Sequence, residues 1–129
     1  MKYGDFIGKV QNRARLGTQG ETVRATRATL EVLGKRLYGG EAKDLATQLP
    51  AEIGVYLKQD SFNETFDLKE FYQKVSETEG VDLPVAIHHA RSVVSVIHDA
   101  VSAGEMEHVR AQLTDDYEEL FDAEIKDTN

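Results

Sequence analysis

The sequence predicts an all-α protein, a helical bundle of two tandem four-helix repeats related by a pseudo-two-fold axis. Three observations predict it. First, a block is written twice: Gly40, Glu41, Gln48 and Leu49 recur as Gly104, Glu105, Gln112 and Leu113, a constant shift of 64 residues (104 minus 40). Second, apolar residues recur at helical spacing through both halves, and no segment alternates apolar and polar residues long enough for a strand. Third, 129 residues suit one domain with a sizeable core, and the absence of cysteine removes disulfides and every thiolate-ligated site.

The elements follow in order. From Tyr3 to about Arg15, Phe6, Ile7, Val10 and Ala14 share one helical face. Gly17-Thr18-Gln19-Gly20 breaks that helix. A second runs from about Glu21 to Leu37, with Val23, Thr26, Leu30, Leu33 and Leu37 gathered on one stripe. Tyr38-Gly39-Gly40 ends it, because glycine supplies the positive φ that helix ends favour. A short third helix, about Glu41 to Gln48, presents Ala42, Leu45 and Leu49. Pro50 suits the first turn of a fourth, which buries Ile53, Tyr56 and Leu57.

The second half repeats the plan. Phe71, Lys74 and Val75 stand where Phe6, Lys9 and Val10 stood. Asp82 is placed to cap a long helix from about Pro84 to Ala103, whose stripe is Ile87, Ala90, Val94, Ile97 and Val101. Gly104 is expected to stop it. Thr114 is expected to cap a last helix that buries Tyr117, Leu120 and Phe121, with Asp122 to Asn129 fraying. The organisation is one domain over 1–129: repeat one at 3–58, a linker at 59–66, and repeat two at 67–125.

The formal charge of −8 is unevenly spread. Residues 1–60 carry 10 Lys/Arg against 7 Asp/Glu, and residues 61–129 carry 5 against 16, so the halves are +3 and −11. Acidic residues solvating helix faces account for most of this. A sharper consequence is attraction between the halves, with Arg13, Arg24 and Arg27 turned toward Glu77, Asp116 or Glu119. The acidic balance and the lack of aromatics among the basic residues argue against nucleic acid as a partner. No apolar run reaches the roughly 18 residues of a membrane span, and the amino terminus lacks a signal-peptide core. The expected setting is the cytoplasm.

Arg24-Ala25-Thr26-Arg27-Ala28-Thr29-Leu30-Glu31-Val32-Leu33, followed by the block Gly40 to Pro50, resembles a bacterial family, domain of unknown function 2267. The resemblance covers about Phe6 to Phe121. It implies a small helical protein with an internal repeat, and it brings no catalytic residues. The second copy departs from the first in having Thr114 for Pro50 and His108 for Asp44.

Candidate chemistry is sparse. Glu105 and His108 form a Glu-x-x-His pair on one helix face, as in carboxylate-bridged di-iron bundles, but the other copy offers Glu41-x-x-Asp44 instead. Both glutamates are accounted for by the favourable charge at a helix amino terminus, and no metal is expected. His88 and His89 diverge by about 100° on a helix, with His88 beside Ser92, Ser95 and Asp99 on the polar face and His98 flanking the apolar stripe. Arg27 and Arg91 match across the copies. They either hold an anionic ligand or pair with Glu41, Glu105 or carboxylates of the last helices; the structural role is favoured, since duplication retains what both copies need to fold. No nucleophile elbow, phosphate loop or dinucleotide fingerprint is present, so neither a catalytic set nor a cofactor is expected. The functional expectation is a non-enzymatic interaction protein that docks a protein partner or its own copy. The alternative is an enzyme or small-ligand binder using a cleft between the repeats.

Overall fold

The computed structural model describes residues 1–58 and 64–127. Their regular structure is helical throughout, and no strand occurs among the described residues. The first half contains α1 (Tyr3–Ala14), α2 (Gln19–Arg36), α3 (Glu41–Thr47) and α4 (Ala51–Gly54), which runs into a 3-10 turn at Val55–Lys58. The second contains α5 (Leu68–Glu79), α6 (Leu83–Ala100), α7 (Ala103–Ala111), a 3-10 turn at Asp115–Tyr117 and α8 (Glu118–Phe121). The first two helices of each half have the same lengths, 12 and 18 residues. The endings differ, α turn before 3-10 turn in the first half and the reverse in the second.

The expected stripes supply the core. Phe6, Val10, Leu30, Leu33, Leu37, Leu45 and Ile53 join Phe71, Val75, Ala90, Val94, Ile97, Tyr117 and Leu120 in one buried cluster. Helix α1 packs on α6, and α2 packs on both α5 and α6, so neither half encloses its apolar face alone. Val23, Ile87 and Val101 sit at the margin of that cluster.

Several boundaries differ from the sequence expectation, each for a local reason. Helix α2 begins at Gln19 because the Thr18 hydroxyl accepts from Glu21 N–H at 3.1 Å, which places Gly20 inside the first turn. Gly104 does not stop the long helix. Helix α6 ends at Ala100, Ser102 accepts from Glu105 N–H at 3.1 Å, and Gly104 lies within the first turn of α7. Asp82 occupies the cap position of α6 without making the side-chain bond, whereas Asp67 does cap α5, accepting from Glu70 N–H at 2.9 Å. Thr114 gives its hydroxyl to the Asp116 carboxylate and makes no cap bond to the last turn.

Of the expected linker, Gln59 to Asn63 lie outside the described residues, as do Thr128 and Asn129 of the tail. Phe66, expected in the linker, belongs to the core instead. Its carbonyl accepts from Arg36 Nε at 2.8 Å and from the Tyr117 hydroxyl at 2.7 Å. The Arg36 guanidinium also donates to the Gln112 carbonyl at 3.3 Å and lies over the Tyr117 ring, so a buried cation near the end of α2 is satisfied by groups from 66 onward.

The first half brings backbone against backbone at Gly34, and less tightly at Gly54, where a Cβ would lie 2.8 Å from the Ala46 carbonyl oxygen. A Cβ on Gly34 would lie 2.4 Å from the Leu57 carbonyl oxygen, so only glycine lets the 3-10 turn reach α2 this closely.

Candidate functional site

The duplicated block builds a seam where α3 meets α7. Helix α3 starts without a side-chain cap, and Gly39 and Gly40 take φ of 64° and 83° to turn the chain into it. Helix α7 starts from Ser102. The two glutamines shared by the blocks reach across. Gln112 accepts from Tyr38 N–H and donates to the Tyr38 carbonyl, both at 2.9 Å. Gln48 accepts from Ser102 N–H at 2.8 Å. Tyr38 and Ser102 are themselves 64 residues apart, so each half's glutamine holds the matching backbone of the other. Such bonds contribute about 1 kcal/mol each.

Inside this frame lie the two block glutamates. Glu41 and Glu105 occupy the first turns of α3 and α7, where the helix dipole favours them, yet they are only 6% and 7% exposed. Carboxylate oxygens of both and a ring nitrogen of the exposed His108 lie within 4.8 Å of one another. Glu41 Oε1 and Glu105 Oε2 are buried without a hydrogen-bond partner. Burial pushes the Glu105 carboxyl above the usual range; the Glu41 charge, a side-chain hydrogen bond to Glu41 and the Asp44 charge push the same way, and His108 opposes them. The i, i+3 spacing of Glu105 and His108 was legible in sequence. The arrival of Glu41 from another helix was not, because it is a tertiary contact.

Arg27 and Arg91 lie outside this cluster and pair differently, Arg91 alone with a carboxylate of the last helix, one of the expected partners. Arg27 is exposed, pairs with Glu31 at 3.2 Å one turn along its own helix, and lies over the Tyr56 ring. Arg91 donates to Glu119 Oε1 at the start of α8, where the Tyr72 hydroxyl also donates at 3.4 Å. The ion pairs of neither involve Glu41 or Glu105.

The histidines have structural partners. His88 Nε2 donates to the Ala14 carbonyl at 3.2 Å, and His98 Nε2 to the Phe121 carbonyl at 3.1 Å. Ser92 is not on a polar face as expected; it is buried and donates to the His88 carbonyl. His89 and Glu79 form a buried pair at 2.5 Å that sequence reasoning missed. The signal was present, since Glu79 continues the Phe71 and Val75 stripe at i+4 spacing.

Attraction between the halves runs through Arg13, one of the expected residues, but toward other carboxylates than those expected. Arg13 reaches Asp99 at 2.5 Å and Asp127 at 2.9 Å, and Lys9 reaches Asp99 at 3.7 Å. Arg27 stays within its own half, Asp116 accepts from Leu68 N–H, and Glu119 takes Arg91.

Two shallow openings carry opposite charge. One, of about 430 Å³, is lined by Leu68, Tyr72, Leu83 and Ile87, with Asp67, Asp116 and Glu119 outnumbering the single cation Lys69. The other, of about 300 Å³, is lined by Leu37, Tyr38 and Leu57 with Lys43 and Lys58. None of the helices among the described residues is long and apolar enough to cross a membrane. The sequence matches the model of a family described as Uncharacterized conserved protein (DUF2267) over residues 3–120. Among curated proteins nothing matches it.

Proposed function

The chain belongs to the DUF2267 family, and on that premise we propose a non-enzymatic helical interaction protein that docks a second copy of itself. The observation that carries this reading is a large aliphatic side chain left in solvent. Leu83, in the first turn of α6, is 38% exposed and lines the acidic opening. Tyr38 is 52% exposed beside the basic one. Apolar surface of opposite rim charge on one molecule fits a head-to-tail contact, the acidic opening of one copy receiving the Tyr38, Lys43 and Lys58 edge of the next. The charges would steer and orient, and the apolar groups would supply most of the affinity.

Within the chain, the same reading holds that the halves are copies of one four-helix unit related by a pseudo-two-fold axis through the seam. The crossed Gln48 and Gln112 bonds support it, because reciprocal contacts are what such an axis produces.

Sedimentation of the full chain at 0.1 M and 1 M salt tests the docking. The expected result is association at low salt that weakens as the screening length falls from about 10 Å to about 3 Å. Leu83→Glu should leave a monomer at both salts. A wild-type chain that is monomeric throughout, or association untouched by Leu83→Glu, overturns the proposal. The buried glutamate pair favours a second reading, a small ligand held between the halves.

A further inference from the structure

We propose that Glu41, Glu105 and His108 bind one divalent transition-metal cation of the zinc class across the contact of α3 and α7. Self-association is not a premise of this inference. Two carboxylates of like charge, brought together away from water, repel each other. Here each also keeps one buried oxygen with no donor, Glu41 Oε1 and Glu105 Oε2. A buried acceptor left without a donor is costly, and an ion is one of the few things that answers it. A dication supplies the missing partner to both oxygens and cancels the repulsion in the same step.

The donor set narrows the cation. Two oxygens and one imidazole nitrogen suit zinc and its neighbours, whereas magnesium and calcium take oxygen alone. The donor atoms lie within 4.8 Å of one another, a separation from which side-chain rotation brings all three to the roughly 2.0–2.2 Å of zinc bonds. Three protein ligands with His108 at the surface leave a coordination position open to water.

The sequence holds no second Glu-x-x-His to complete a di-iron set. The fold replaces that motif with one glutamate from the other half. Asp44, which stands at the position matching His108, adds negative charge close by and favours a cation further.

The test uses the untagged full chain, stripped with chelator and dialysed against zinc chloride alone, with magnesium chloride in parallel. One zinc per chain and no magnesium is the expected outcome by elemental analysis. Glu105→Gln and His108→Ala should each weaken zinc affinity about 10-fold or more, since even the groups that merely orient ligands are worth 10–100-fold. Asp115→Asn, an exposed carboxylate outside the cluster, should bind as the wild type does. Should Glu105→Gln fail to fold, His108→Ala still decides the matter, because that side chain is exposed. Zinc absent at one per chain, or bound with affinity unchanged in His108→Ala, overturns the inference.

Discussion

The long helices α2 and α6 each meet the closing turn of their own half, and they do so by different chemistry. In the first half Gly34 opens a slot into which the Leu57 carbonyl fits, backbone to backbone. In the second half the positions 64 residues further on are His98 and Phe121, and the imidazole donates to the Phe121 carbonyl at 3.1 Å. One contact is made by removing a side chain and the other by adding a long polar one. The residue types look unrelated on the page, yet both bring a carbonyl of the last turn to the same place on a long helix. What the two halves share is the position of the contact, and each half reaches it by its own means.

The largest effects test what both halves have in common. Leu33→Ala and Ile97→Ala each remove a buried side chain from matching stripes and should cost about 2–5 kcal/mol by urea denaturation. Losses below about 0.5 kcal/mol at both would mean the shared stripe is not the core. Next comes the contact that distinguishes them. Gly34→Ala drives a methyl into the Leu57 carbonyl and should cost about 1–3 kcal/mol, as overpacking does. A neutral result would show that the turn moves freely and that the close approach is incidental.

His98→Ala, at the matching position, should cost only about 0.5–1.5 kcal/mol, the range for one hydrogen bond. If it proved costlier than Gly34→Ala, the ranking of shape over hydrogen bonding would be reversed. The smallest effect is pH-dependent. The Thr114 hydroxyl, and after it Leu68 N–H, hold the Asp116 carboxyl below its ordinary range. A depressed acid stabilises the fold above its unfolded value of 3.8, and that contribution is lost as pH falls through the folded value. Wild type and Asp116→Asn should therefore differ near neutrality and converge toward pH 3. A gap that widens on acidification would contradict the sign.

The sequence made the helices legible because burial acts through a period that a single chain displays. Phe6, Val10, Leu30 and Leu33, and their later counterparts, are inward in the structure as their spacing requires. Helix ends were less legible. Thr18, Asp67 and Ser102 cap and Asp82 and Thr114 do not, although all five are residues that favour the position, because residue type sets the capacity to cap and not the direction the side chain takes. The glutamate cluster was half legible. Glu105 and His108 share a helix, but Glu41 arrives through the packing of α3 on α7, which no local spacing encodes. Arg27 and Arg91 carry the opposite lesson. Identical residues at matching positions pair differently because Glu119 lies near one and Glu31 near the other.

The enclosed guanidinium of Arg36 also sets a schedule. During synthesis Arg36 emerges first, and the Tyr117 ring that covers it follows 81 residues later (117 minus 36). At ribosomal rates of about 5–20 residues per second that interval is roughly 4–16 s. Through it the Phe66 carbonyl arrives early and the aromatic cover last, so the end of α2 cannot close on a finished core until the final turn has been made. A nascent chain stalled before Thr114 should be cut by protease near Arg36, and one extended past Phe121 should be protected. The closing turn thus decides when a buried charge finds its lid.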